Sequence, residues 1–124
     1  MLVALLIAAC GGAGAPSRSP APTAIPGAVL VTRANDRGTV HARFGDRIQI
    51  ALGADYEWRL DPPDGVVLIR GVQNELLVRG TQAVWTASAP GTATIKATGT
   101  VICPSGQACI LIALPFETAV VVSP

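Results

Sequence analysis

The sequence predicts an all-β fold, an antiparallel sandwich of seven or eight short strands, on three observations. From Ala28 onward apolar residues recur at every second position, the period of a half-buried strand. Clusters of Gly, Pro, Asn and Asp break these runs at short intervals. No window of the sequence keeps a helical period, and this many short strands in so short a stretch pack best as two layers.

The segment ahead of that domain has a different character. Met1 to Ala9 is apolar and uncharged. It is too short to span a bilayer, which takes about 20 apolar residues, and it suits the apolar region of a secretory signal peptide. The string Ile7-Ala8-Ala9-Cys10 resembles the lipobox of bacterial lipoproteins. That resemblance implies cleavage after residue 9, lipid on the Cys10 thiol, and an exported protein anchored to the cell-envelope membrane. Residues 10–27 carry Pro16, Pro20, Pro22 and Pro26 among Ala, Ser and Gly. Such a stretch cannot bury enough apolar surface to fold and is biased toward extended polyproline II, about 3.1 Å per residue, so it reads as a disordered tether.

The folded domain, residues 28–124, begins with a short strand in Val29-Leu30-Val31-Thr32. Asn35-Asp36-Arg37-Gly38 turns the chain into Thr39 to Phe44, where Val40, Ala42 and Phe44 share a face and His41 and Arg43 oppose them. After Gly45-Asp46, Ile48, Ile50 and Leu52 alternate with Arg47 and Gln49; then Tyr56, Trp58 and Leu60 alternate with Glu57 and Arg59. Trp58 is expected at the centre of the inter-sheet core, with Ile50 and Ile95 among its neighbours. Asp61-Pro62-Pro63-Asp64-Gly65 separates that strand from the run Val66 to Gly71, and Val84 to Ser88 gives the next. Ala89-Pro90-Gly91 precedes a strand with Ala93, Ile95 and Ala97 inward, and Phe116, Thr118, Val120 and Val122 line the last.

Charge and chemistry exclude several function classes. Nine Lys and Arg less Arg18 face eight Asp and Glu, so the domain is formally neutral and offers no electrostatic footprint for nucleic acid. The single histidine, His41, lies on an outward face, and no Ser-His-Asp set or phosphate loop is present. Asp61 and Asp64 flank a Pro-Pro turn and read as turn formers rather than calcium ligands. With Cys10 lipidated, Cys103 and Cys109 remain as a pair that an oxidising compartment would join; Cys-x5-Cys lacks the further ligands that zinc requires. The chain is therefore expected to be neither an enzyme nor a metal- or cofactor-binding protein.

Four stretches, "GDRIQIAL", "YEWRL", "GTQAVWTASAPGTATIKA" and "FETAVVV", resemble the core strands of chagasin-like proteins from about Thr39 to Val122. The resemblance implies an immunoglobulin-like sandwich and inhibition of papain-like cysteine peptidases by three loops at one end. The matching positions are Asp55 and Tyr56 in the first loop, Gly80 in the second, and Pro104, Ser105, Gly106 and Gln107 in the third. The family's Asn-Pro-Thr-Thr-Gly-Tyr loop is here only Gly53-Ala54-Asp55-Tyr56, and its Arg-Pro-Trp loop is replaced by the Cys103 to Cys109 stretch, which has a Pro but no Trp. Two functions follow. Loop content favours a membrane-tethered interaction or structural module; the alternative is an inhibitor with a cysteine peptidase as its protein partner.

Overall fold

A computed structural model describes residues 23–71, 77–110 and 112–124. Eight strands form among them: β1 (Val29–Val31), β2 (Thr39–Arg43), β3 (Arg47–Ile50), β4 (Tyr56–Leu60), β5 (Leu68–Arg70), β6 (Ala83–Ala87), β7 (Gly91–Val101) and β8 (Ala113–Ser123). They lie on the alternating and short apolar runs of the sequence. They assemble as two four-stranded sheets, ordered β1-β3-β6-β5 and β2-β8-β7-β4. The expected signal peptide, the expected lipidation site Cys10 and most of the expected tether lie outside the described residues.

Four of the six strand ladders are antiparallel; β1 on β3 and β2 on β8 are parallel. Both sheets are thus mixed. The cause is a crossing near the start of the domain. A one-turn 3-10 helix, Arg33–Asn35, carries the chain from the first sheet to the second between β1 and β2. Thr32 Oγ1 accepts from Ala34 N, and Asn35 Oδ1 accepts from Thr32 N, a reciprocal cap that fixes where the chain swings across.

Ile48, Ile50 and Trp85 of the first sheet face Ile95, Phe116, Val120 and Val122 of the second, and these form the core with Val31, Leu52 and Leu68. Burying such side chains stabilises the fold by about 1.5–3 kcal/mol each. Trp85, 5% exposed, is the buried tryptophan. Trp58 points inward as its alternation requires, but β4 is an edge strand, so the ring is only half covered. It lies against Gly99, its partner on β7: a Cβ there would stand 2.9 Å from the indole, so only glycine leaves the ring room. Phe116 and Tyr56 stand beside it, with ring centroids 6.4 and 6.0 Å away, and it packs against the cluster that contains Ile50 and Ile95.

Two other positions depart from the alternation. Phe44 falls beyond the end of β2, in the turn into β3, and is 60% exposed. Gln49 is on the outer face of β3 yet fully buried, because residues 23–25 cover it.

Candidate functional site

Strand direction brings three connections to one end of the sandwich. Residues 51–55 leave β3 for β4, residues 71–82 lead from β5 into β6, and residues 102–112 join β7 to β8. Ile50 pairs with Ala83, and Tyr56 with Val101, so all three emerge side by side. They hold the candidate contact residues Asp55, Gly80 and Pro104 to Gln107, and Tyr56 opens β4 directly behind the first of them.

The first two loops are clasped together. Gly53 N donates to Gly80 O at 3.0 Å. Gln82 accepts from Leu52 N through Oε1 at 2.7 Å and donates through Nε2 to Gly53 O at 2.9 Å. Val78 to Thr81 makes a turn closed by Thr81 N on Val78 O, with Gly80 at φ +89°, a region that L side chains rarely adopt. One glutamine side chain thus satisfies two backbone groups of the neighbouring loop and sets the spacing between them.

The third loop is the tip of a long hairpin. β7 and β8 have eleven residues each, against three to five in the strands of the first sheet. Cys103 and Cys109 are joined by a disulfide, with Cα atoms 5.9 Å apart. Between them Gln107 N donates to Pro104 O, and Pro104 to Gln107 are all exposed. Around the bridge stand Ile102, Ile110 and Ile112, 57%, 78% and 52% exposed. Exposed isoleucines gathered on a stapled loop leave apolar surface available for burial against a partner.

Tyr56 connects the loop end to the aromatic group beneath it. The Arg33 guanidinium lies 5.0 Å from the Tyr56 ring centroid and 5.8 Å from that of Trp58. Within about 6 Å a cation is drawn to the ring face, so the helix that crosses between the sheets also steadies the start of β4. Asp55, next to Tyr56, is exposed.

Sequence reasoning located the three loops but missed what holds them. Gln82 precedes a strand and Gln49 alternates with isoleucines, so both read as solvent-facing; nothing local marks them. The isoleucines beside Cys103 and Cys109 were legible as apolar residues next to a bridged loop. Among the described residues no group of three or more His, Cys, Asp or Glu could hold a metal ion, and no helix is long and apolar enough to cross a membrane.

No protein-family model and no curated protein matches the chain. Solved structures similar to it include the following two. One is the crystal structure of EhICP2, a cysteine protease inhibitor from Entamoeba histolytica, with a TM-score of 0.54 and 19% identity over 77% of this chain and 94% of that one. The other is the solution structure of amebosin, with a TM-score of 0.47 and 17% identity over 77% and 98% of the two chains. The chain has the chagasin-like, immunoglobulin-like β-sandwich fold that its core strands resemble in sequence.

Proposed function

We propose that this protein binds and blocks papain-like cysteine peptidases with its loop end. The observation that carries the reading is the convergence of three loops from both sheets, two clasped by Gln82 and the third stapled by the disulfide. Likeness in fold to a cysteine protease inhibitor adds support. A cleft-blocking interface of standard size buries about 1,600 Å² in total. Loops fixed before contact spare the ordering cost that weakens flexible binders. The exposed isoleucines around the bridge supply apolar contact where the family's Trp is absent. The short first loop and that missing Trp remove two anchors, each worth about 2 kcal/mol or more, so the affinity falls about three orders of magnitude below the nanomolar range, into the micromolar.

Titration of papain with a small peptide substrate tests this reading. Competitive inhibition with a micromolar constant is expected. No inhibition at about 100 μM would leave the loop end as a docking surface for some other partner.

The proposal extends to address. Export and lipidation at Cys10, motivated by Ile7-Ala8-Ala9-Cys10 and the Pro-rich stretch behind it, would hold the domain at an envelope membrane. Stable anchoring takes two acyl chains or a second signal. Cys10→Ser then moves the protein to the soluble fraction; a variant that stays with the membrane contradicts the anchor.

A further inference from the structure

Gln49 sits between Ile48 and Ile50, so its side chain leaves the outer face of the first sheet, where a glutamine would ordinarily be solvated. It has no exposed surface. Its amide is satisfied on both sides: Oε1 accepts from Ile25 N at 2.8 Å, while Nε2 donates to Thr23 O at 2.8 Å and to Thr81 Oγ1 at 2.9 Å. Accepting from residue 25 and donating to residue 23 is what the C=O and N–H of one residue on a parallel neighbouring strand do for the residues on either side of the one between. The side chain therefore fastens residues 23–25 to the sheet in place of a strand. A turn closed by Ala28 N on Ile25 O then leads directly into β1.

The third bond reaches the loop end. Thr81 is itself buried and follows Gly80, whose carbonyl accepts from Gly53 N. A continuous path runs from Thr23 and Ile25 through Gln49 and Thr81 to Gly80 and Gly53. We infer that Gln49 is a positioning residue, which couples the segment ahead of β1 to the first two loops, so that displacing residues 23–25 loosens the surface they form. The inference rests on the loop end being the functional surface, although the coupling is measurable without it. The physical ground is that the amide is fully buried. With Thr23 and Ile25 displaced, Gln49 loses both its cover and two of its three partners, so its amide turns to water and no longer holds the Thr81 hydroxyl in place.

Three variants of the full chain, followed by site-resolved amide exchange and by papain inhibition, test the coupling. Ile25→Pro removes the N–H that donates to Gln49 Oε1 and leaves Gln49 and the loops themselves unsubstituted. Gln49→Met keeps the length of the side chain and loses all three bonds. Thr81→Val removes only the hydroxyl. Ile25→Pro and Gln49→Met should each speed exchange at the Gly53 amide at least about tenfold and weaken inhibition by a similar factor, with the Ala97 amide in mid-sheet unchanged. Thr81→Val should speed Gly53 and leave Ile25 protected. Gly53 exchange unaltered by Ile25→Pro would overturn the coupling, as would equal acceleration at Gly53 and Ala97, which marks a loss of global stability. A parent protein that fails to inhibit papain refutes the functional reading, and the exchange data still decide the coupling.

Discussion

At the end of the sandwich where β2 turns into β3 and β4 leads to β5, each turn is fastened by a residue two to four positions away. Asp46 Oδ2 accepts from Arg43 N, and the Asp64 carboxylate accepts from Val66, Val67 and Leu68. At the opposite end the fastening side chains, Gln49 and Gln82, reach partners 24 to 32 positions away. Local fastening shapes a turn whatever surrounds it. Remote fastening sets separate loops relative to one another, which a surface assembled from three loops requires. The turn end also exposes apolar residues, Phe44 and Val66, but their connections are tied through backbone bonds to Ala87 and Ser88, with no side-chain clasp between them among the described residues.

The largest effect separates the two ends by function. Replacing Ile102, Ile110 and Ile112 together with Ser should weaken papain inhibition at least about a hundredfold. The denaturation midpoint should hardly change, since exposed substitutions usually stay within about 0.5 kcal/mol each. Phe44→Ser with Val66→Ser should leave inhibition as it was. If the turn-end pair costs as much inhibition as the isoleucines, the assignment of the ends is wrong.

Stability gives the next two steps. Gln82→Leu leaves Leu52 N and Gly53 O without partners and should cost about 2–3 kcal/mol by chemical denaturation; a loss below about 0.5 kcal/mol would mean that the clasp is not formed in solution. Replacing Cys103 and Cys109 together with Ser should cost about 2 kcal/mol on the loop-closure model, with the fold retained. Two thiols titrating freely in the native protein would contradict the bridge.

The smallest effect belongs to Asp64. Burial raises its pKa, but the N–H donors of Val67, Leu68 and Val66 outweigh that and hold the carboxyl below the usual carboxylate range. A carboxyl whose pKa is lower in the folded state stabilises the protein above its unfolded pKa, near 4, and that contribution fades as pH falls through the folded value. Asp64→Asn should therefore remove a small part of the acid dependence below about pH 4, with its change confined to exchange at Val67 and Leu68. An unchanged acid limb in Asp64→Asn would contradict this role.

The same contrast explains what the sequence disclosed. All eight strands were legible, five because a period of two marks a half-buried strand without reference to its neighbours, and β1, β5 and β6 as short apolar runs. The turns around Asp46 and Asp64 were legible because their chemistry is local. Alternation put Trp58 on the correct face, but it carries no information on which strand lies at an edge, so Trp85 holds the place expected of Trp58. Nor does it specify strand direction, and the parallel ladders of β1 and β2 follow from a crossing that only the packed sheets define. The loops at the candidate site could be located from strand order. The glutamines that fix them could not, since each looks like a surface residue until a segment distant in sequence covers it.

The most direct measurement of the central claim is amide-exchange footprinting of the full chain with a papain-like peptidase whose catalytic cysteine is replaced by alanine. Protection is predicted at Gly53 to Tyr56, at Gly80, and at Ile102 to Ile110, with Phe44, Gly45 and Val66 to Leu68 unchanged. Protection confined to the turn end or to the exposed edge of β4, with the three loops exchanging as in the free protein, would contradict the claim.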